Sequence, residues 1–324
     1  MTRASTVDGP ITVEHVDCMV CGGKAHTPLA TGTDYDYRTS DQEFTFVRCN
    51  TCEHVFLNPR PAPESAGLIY PKDYYTLSGA HVSGAMSLLG RIKDIVVRSR
   101  IAGLLDKLPE GSRVMDVGCG DGALLLAVHR IRPDLQLVAL DYAIAPDRVR
   151  LLTSQGITCE LCLLEEARFD DRFDLVIMNQ LIEHLWDVRG ALAKLSDVLS
   201  PGGRLSITTP NLDGYDFRFF RDGSWGGYYF PRHLNLFTAR SLRGILEEYN
   251  LTVVTHKHCV APLIWVGTAR AWLQRKGLAG RALFKDTNLP ALTVFSSVDL
   301  AMKAIGCSTS NQQVIARKVS DARR

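Results

Sequence analysis

From Arg113 to the end of the chain, short apolar runs alternate with longer stretches whose apolar positions recur at helical spacing. Apolar runs without polar alternation are typical of parallel strands that are buried on both faces. The pattern predicts strands at residues 114–117, 135–141, 158–162, 173–179, 204–209, 251–255 and 313–318. This alternation predicts an α/β fold in which a seven-stranded sheet carries helices on both faces.

Other segments have patterns of their own. Residues 212–237 are rich in aromatic residues and glycine and lack a regular period, and we interpret them as a substrate wall and lid. Thr238 is a predicted N-cap for a helix over 239–249. Residues 261–305 contain two apolar helical pieces, an insertion that caps the substrate mouth or builds a homodimer face. Residues 86–108 favour a helix that leads into the main domain, with a basic membrane-facing helix as the alternative.

The first strand of the predicted sheet runs directly into a glycine-rich turn. Asp116 lies in the strand, and the turn consists of Gly118, Cys119, Gly120, Asp121 and Gly122. Glycine allows the main chain and its N–H groups to approach a ligand because no Cβ atom intervenes. The spacing Gly-x-Gly-x-x-Ala also fits the relaxed dinucleotide pattern, so spacing alone leaves the nucleotide open.

An acidic residue ends the second predicted strand. Asp141 is placed there to accept hydrogen bonds from both ribose hydroxyls of a nucleoside ligand. Tyr142 follows it and is a candidate wall for the adenine ring. Together with the glycine turn, these residues predict a nucleoside site at one edge of the sheet.

Two Cys-x-x-Cys pairs stand near the N-terminus. They are Cys18 with Cys21 and Cys49 with Cys52, and strand-like residues separate them. Each pair can present both thiolates to one tetrahedral Zn²⁺, and four thiolates leave no open coordination position. The sequence therefore predicts a zinc ribbon with a structural ion, in which His26 or His54 could replace one thiolate as a ligand.

The order Asp-x-Gly-x-Gly-x-Gly over residues 116–122 resembles the first motif of the class I S-adenosylmethionine (SAM)-dependent methyltransferases. The resemblance implies a Rossmann-like seven-stranded sheet whose last strand is antiparallel, with SAM held by the glycine turn and Asp141. The run from 173 to 185 is similar to the family's fourth motif, which implies that Asn179 and Gln180 lie beside the methionine part of SAM.

The third strand departs from that family pattern. Where the family often has an acid that binds the adenine amino group, this chain has Leu163. Contact with adenine is therefore expected from the backbone around Leu163 and Leu164.

Candidate catalytic residues follow the fourth strand and lie in the aromatic segment. A neutral imidazole at His184 or His233 can take the proton of an acceptor hydroxyl. Glu183 and His184, with the distant His233, also resemble the divalent-ion ligands of methyltransferases similar to ubiquinone-biosynthesis enzymes. Because Gln180 stands where that pattern has a first glutamate, the second metal site remains a hypothesis beside a simple base.

The N-terminal motifs, including Asn-Pro-x-Pro at residues 58–61 and Tyr-Pro-x-x-Tyr-Tyr at 70–75, resemble the lead module of bacterial methyltransferases that act on sugars, glycolipids and secondary metabolites. The resemblance implies methyl transfer to a small polar acceptor, with a hydroxyl favoured. Two other interpretations stay open: an RNA base methyltransferase with a zinc module, and a non-catalytic zinc-ribbon interaction protein.

The amino-acid composition bears on whether the protein binds nucleic acid or a membrane. Lys and Arg number 37 against 35 Asp and Glu, a formal net charge of +2, which argues against a nucleic-acid partner. The sequence predicts no membrane span and no secretory leader, so we expect a cytoplasmic protein. The predicted division is a zinc-ribbon module at 1–62, a connector with a helix at 63–108, and a methyltransferase domain at 109–324.

Overall fold

The fold comes from a computed structural model that describes residues 10–70, 101, 103–278, 284–286 and 288–319. Most of the predicted helix over 86–108 lies outside the described residues, and residues 103–105 are helical. Among the described residues, no helix combines the length and the apolar character that crossing a bilayer requires.

The N-terminal part is built from short strands around the two cysteine turns. Its elements are β1 (Val13–Glu14), β2 (His26–Gly32), β3 (Phe44–Cys49), β4 (Val55–Leu57), β5 (Arg60–Pro61) and the short helix α1 (Ala66–Ile69). Strands β2, β3 and β4 pair antiparallel in one sheet, and β1 pairs with β5. One cysteine turn precedes β2 and the other joins β3 to β4, so the sheet brings the two turns together.

The remaining elements follow the predicted alternation. The strands are β6 (Arg113–Val117), β7 (Gln136–Leu140), β8 (Thr158–Glu160), β9 (Phe173–Asn179), β10 (Leu199–Pro210), β11 (Asn235–Leu236), β12 (Leu251–Cys259) and β13 (Asn311–Lys318). The helices are α2 (Ala123–Ile131), α3 (Pro146–Ser154), α4 (Val188–Val198), α5 (Ala239–Glu247), α6 (Pro262–Arg275) and α7 (Leu289–Ala304).

Seven of these strands form the main sheet in the order β12-β13-β10-β9-β6-β7-β8. Strand β13 runs antiparallel to both neighbours, and the other pairs are parallel. The predicted α/β fold with an antiparallel last strand is confirmed. Thr238 is confirmed as the N-cap of α5, because its hydroxyl accepts from the N–H of Ser241 at 3.0 Å.

Both faces of the sheet are covered. Val114 of β6 belongs to a core cluster with Leu125 and Val128 of α2, whereas Met115 clusters with Leu192 and Leu195 of α4. Because neighbouring residues of one strand point to opposite faces, this arrangement needs apolar side chains at consecutive positions. It explains why the central strands lack polar alternation.

The prediction that residues 212–237 lack regular structure is wrong. The segment contains two short 3₁₀ helices, Asp216–Arg218 and Gly226–Tyr228, and strand β11. Strand β11 pairs with β4 and so becomes the fourth strand of the N-terminal sheet. Trp225, Tyr228 and Phe230 are almost completely buried, and the last two pack on Phe46 of β3. These three aromatic side chains form a core between the two parts of the chain and do not belong to a lid. The interpretation of the segment as a substrate wall stays a prediction.

A buried ion pair joins the same two parts. Arg232 and Asp34 lie 2.7 Å apart with both side chains fully buried, and the guanidinium stacks over Tyr37 at 4.4 Å. The Asp34 carboxylate also accepts from the backbone N–H groups of Tyr37 and Thr39. A buried charge whose partner is removed costs several kcal/mol, roughly 3 to 5, so the pair ties the aromatic segment firmly to the N-terminal part.

Candidate active site

The predicted cofactor residues meet at the carboxyl ends of three adjacent strands. The glycine turn follows β6, Asp141 follows β7, and Asn179 ends β9, and β6 lies between the other two strands in the sheet. Open α/β sheets bind ligands at this edge. The topology therefore brings together residues that lie more than sixty positions apart in the chain.

The glycine turn departs from the expectation that its amides face a ligand. The N–H groups of Gly118 and Cys119 donate to the carbonyl of Leu140 at 2.8 and 3.3 Å, and that of Gly120 donates to Asp141 Oδ2 at 2.9 Å. These three donors are satisfied by the protein itself. The turn can therefore offer a ligand close approach to its Cα atoms more readily than hydrogen bonds from these amides.

The three glycines of the turn have different reasons to be glycine, although all have positive φ. A Cβ atom at Gly118 would lie 2.9 Å from the Leu181 side chain, and one at Gly122 would lie 2.6 Å from that of Leu152. A Cβ atom at Gly120 would meet nothing within 4 Å. Gly118 and Gly122 allow packing within the protein, whereas Gly120 faces the open space where a ligand can lie.

Three carboxylates surround the turn. Asp116 is buried, and burial together with the charges of Asp141 and Asp121 raises its pKa to about 8. A pKa of about 8 leaves Asp116 mostly protonated at neutral pH, and it ionises when a cation binds beside it. The carboxylates of Asp121 and Asp141 repel the pyrophosphate of a dinucleotide and attract a cationic ligand. The electrostatics of the turn thus favour a ligand with positive charge over the dinucleotide that the glycine spacing also allowed.

Asp141 holds the turn in place as well as facing the predicted site. Its Oδ2 accepts from Gly120, and its Oδ1 accepts from the N–H of Ala143 at 3.0 Å. A carboxylate has about four lone-pair positions, so both oxygens can still accept from ribose hydroxyls. Tyr142 beside it is 55% exposed, which leaves its ring accessible to a ligand.

The two residues that are predicted to lie beside adenine differ in their exposure to solvent. Leu163 is 48% exposed, whereas Leu164 is buried in the core. The carbonyl of Leu163 accepts from the N–H groups of Glu166 and Ala167, so that oxygen is already engaged in a turn. Contact of adenine with the backbone around Leu163 and Leu164 remains a prediction. The Leu163 carbonyl could take part only in addition to the two N–H groups that it already binds.

Gln180 adopts a conformation that is uncommon for a residue other than glycine. Its φ is 53°, its N–H donates to the Thr208 carbonyl at 2.8 Å, and its Nε2 donates to Asn311 Oδ1 at 3.2 Å. Left-handed residues of this kind persist where the surroundings hold them, often at functional sites. Asn311 on β13 is a supporting residue that the sequence did not indicate, because it lies 131 positions away.

The predicted His184 and His233 lie next to each other. Their ring centroids are 4.7 Å apart, and burial lowers the pKa of His184 to about 4 and that of His233 well below its ordinary value. Glu183 is fully buried beside them, where burial raises its pKa to about 8. Its Oε2 accepts from the Thr209 hydroxyl at 2.9 Å, while its Oε1 is buried without a hydrogen-bond partner.

Backbone carbonyls define the tautomers of this pair. His233 Nδ1 lies 2.8 Å from the Gly227 carbonyl, and His184 Nδ1 lies 3.1 Å from the Arg232 carbonyl. A carbonyl only accepts, so we assign the proton of each ring to Nδ1, which leaves a lone pair on each Nε2. Tyr70 of the N-terminal part also reaches His184 Nδ1, with its hydroxyl at 3.0 Å. At His184 this assignment makes the Tyr70 hydroxyl an acceptor from Nδ1. This contact packs the N-terminal part against a candidate catalytic residue.

The cysteines of the N-terminal part form one cluster. The ligand atoms of Cys18, Cys21, Cys49 and Cys52 all lie within 4.8 Å of one another. Cys18 Sγ is 3.5 Å from Cys52 Sγ, and Cys21 Sγ is 3.5 Å from Cys49 Sγ. The four thiols are unbridged, and their number and spacing fit a tetrahedral Zn²⁺.

Comparison with known proteins agrees with this geometry. A family described as a methyltransferase domain matches residues 91–256. An uncharacterized methyltransferase of Mycobacterium bovis is 35% identical over 137 residues, which are 38% of this chain and 61% of that protein. A ubiquinone biosynthesis O-methyltransferase of Bradyrhizobium is 30% identical over 111 residues, 33% of this chain and 43% of that protein. The chain thus spans between about two fifths and three fifths of the length of these relatives.

One solved structure shows a similar fold over most of the chain. Phosphoethanolamine N-methyltransferase 2 of Haemonchus contortus, in complex with SAM, has a TM-score of 0.52 and 17% sequence identity. The similarity covers 91% of this chain and 69% of that chain.

Proposed function

We propose that the chain, which belongs to the methyltransferase-domain family, transfers the methyl group of SAM. Its acceptor is a small polar molecule methylated on a hydroxyl, such as a sugar, a glycolipid or a natural product. The relative named for ubiquinone biosynthesis is an O-methyltransferase, which supports oxygen as the acceptor atom. SAM would be held by Asp116, the turn 118–122 and Asp141.

The observation that carries this proposal is the pair of free imidazole nitrogens. A SAM sulfonium already makes its methyl group electrophilic, so the chain has to align the acceptor and remove one proton. Nε2 of His184 and Nε2 of His233 keep lone pairs because both Nδ1 atoms face carbonyls. We assign removal of the acceptor's proton to this pair; His184 lies four residues after Gln180, which directly follows β9.

The same side chains also suit a divalent ion. The ligand atoms of Glu183, His184 and His233 lie within 4.8 Å of one another, and Glu183 Oε1 has no other partner. Histidines that bind metals usually donate their second N–H to a carbonyl, as both do here. Such an ion would polarise an acceptor hydroxyl. We retain it as the second form of the proposal.

Replacing His233 with alanine is expected to lower kcat about 10²- to 10⁴-fold, because a placed base or metal ligand is lost. Replacing His184 should have the same effect. SAM affinity, measured by calorimetry, should stay within a few-fold because neither ring belongs to the predicted SAM site. The assay is release of S-adenosylhomocysteine with a panel of sugar and phenolic acceptors.

The control is His15→Ala, since His15 is exposed in the N-terminal part. A kcat within threefold of the unsubstituted protein in both histidine variants would contradict the assignment. Dialysis against EDTA distinguishes the two forms of the proposal, a histidine base alone and a bound divalent ion. Loss of turnover that Mn²⁺ or Mg²⁺ restores supports the ion. Full turnover with no metal measured beyond the zinc of the four-cysteine cluster supports a base alone.

SAM affinity is expected to rise with pH. Asp116 in the free protein has a pKa of about 8, and a cationic ligand lowers that pKa by stabilising the carboxylate. Below pH 8, binding must therefore release a proton, and the Kd should fall up to about tenfold per pH unit. Calorimetry between about pH 6 and pH 7.5 measures this slope, over a range that lies below that pKa.

The matched variant is Asp116→Asn, which keeps the shape and removes the titrating group. We expect its SAM affinity to be weak and independent of pH over the same range. A Kd of the unsubstituted protein that does not change with pH would count against a buried carboxylate that faces the cationic ligand.

A further inference from the structure

We propose that helices α6 and α7 dock on the surface of a bilayer that contains anionic lipid. Fifteen large hydrophobic side chains are exposed among the described residues, and eight of them lie between residues 263 and 305. The eight are Leu263, Trp272, Leu278, Leu289, Val294, Val298, Leu300 and Ile305. Such a concentration of exposed apolar residues in one segment marks an interaction surface.

Helix α7 carries the apolar part of this surface. Val294, Val298 and Ala301 are exposed on one face of the helix, and the exposed Ile305 continues this spacing at the C-cap. Within α7, every residue of which is described, the charged residues are Asp299 and Lys303. A solvated helix normally has charged residues on its outer face, so this apolar face is suited to burial against another surface.

The acid of α7 is directed inward. Asp299 is fully buried and accepts from the N–H of Ala261 at 2.7 Å and from Trp265 Nε1 at 2.9 Å. Trp265 of α6 stacks on Phe295 of α7, with ring centroids 5.6 Å apart. These contacts pack the two helices together and determine which side of α7 faces outward.

The charge of residues 262–305 indicates that anionic lipid binds this surface. Residues 262–305 contain six Lys and Arg against two Asp, whereas the rest of the chain has 31 against 33. Both acids are engaged, Asp299 inside and Asp286 with Arg270. Lys276, Lys285 and Lys303 are exposed. The outward charges of the segment are therefore mainly positive, as expected of a surface that meets anionic lipid.

A bilayer fits these features better than a second copy of the chain does. Two copies packed through this segment would bring together two surfaces whose outward charges are mainly positive, and like charges repel. Trp272 and Lys276 lie four residues apart on one face at the end of α6, where an aromatic ring and a basic side chain suit the headgroup region. Neither feature depends on the identity of the methyl acceptor.

The test is co-sedimentation of the full chain with vesicles. We expect binding to phosphatidylcholine vesicles that contain about 30% phosphatidylglycerol to exceed binding to pure phosphatidylcholine at least about tenfold. Raising NaCl from about 0.1 M to about 0.5 M should reduce it, because salt screens the lysines. The double variant Val294→Asp with Val298→Asp should lose at least about tenfold in partition coefficient.

Two further variants make the result decisive. Val254→Asp, at a valine of β12 that is 54% exposed, is the matched control and should bind like the unsubstituted protein. Lys276→Glu with Lys285→Glu changes only exposed side chains and should lower binding to anionic vesicles without affecting the fold. Failure to bind anionic vesicles at low salt overturns the proposal. So does a dimer, seen by light scattering, that the α7 double variant dissociates while vesicle binding is absent.

Discussion

Replacing Asp141 with alanine is expected to weaken SAM binding by at least about a hundredfold. The carboxylate is predicted to accept from both ribose hydroxyls, and hydrogen bonds to a charged group contribute about 1.5 to 3 kcal/mol each. Since about 1.4 kcal/mol corresponds to a factor of ten in Kd, two such bonds account for that loss. The variant also frees the N–H of Gly120, which Asp141 holds at 2.9 Å in the structure. Calorimetry with SAM gives the Kd directly.

The matched control is Asp147→Ala, because Asp147 is an exposed carboxylate in the first turn of α3. It should bind SAM like the unsubstituted protein. Circular dichroism establishes that both variants are folded. An Asp141 variant that is folded and binds SAM within threefold of the unsubstituted protein would show that the nucleoside does not contact this acid.

Removing the zinc ion that we predict at the four-cysteine cluster is expected to lower the rate of methyl transfer at least about a hundredfold while SAM still binds. The cluster lies in the part of the chain that supports the histidine segment: Arg189 Nε donates to the Met19 carbonyl at 2.7 Å, and Trp186 Nε1 donates to the Pro61 carbonyl at 2.9 Å. Misplacement of a catalytic group by about 1 Å can cost about a hundredfold in rate. We therefore expect kcat to fall at least that much after the zinc is stripped.

The predicted SAM site depends on β6, β7 and their loops, so its Kd should change by only a few-fold. Zinc is quantified by mass spectrometry before and after stripping with a mercurial reagent and EDTA. The variant Cys49→Ser should behave like the stripped protein, and Cys307→Ser, a thiol outside the cluster, should keep its zinc and its activity. Equal turnover with and without zinc would mean that the cluster does not support the site.

The predictions from sequence that were confirmed concern features with a local cause. The central strands are continuous apolar runs because both faces of the sheet are buried, as at Val114 and Met115. Thr238 caps α5 through a hydrogen bond with Ser241, only three positions later in the chain. The cysteine turns need only four residues each, so their spacing indicates the cluster without knowledge of the fold.

What the sequence did not reveal depends on contacts between distant residues. Strand β11 has two residues, and its pairing with β4 connects positions about 180 apart. The left-handed backbone at Gln180 and its bond to Asn311 likewise have no local signal. The aromatic segment was interpreted as a lid from composition, but composition does not distinguish side chains that cover a ligand from side chains that bury one another. Leu163 and Leu164 give a second example: the sequence does not distinguish the two leucines, but Leu163 is exposed and Leu164 is buried.

The pairing of β11 with β4 also affects how the protein can be made. During synthesis the first three strands of the N-terminal sheet leave the ribosome long before residue 236 does, and until then β4 has an unpaired edge. Open strand edges promote association with other nascent chains. We therefore expect the N-terminal part, expressed without the residues that supply β11, to be prone to aggregation even when zinc is abundant.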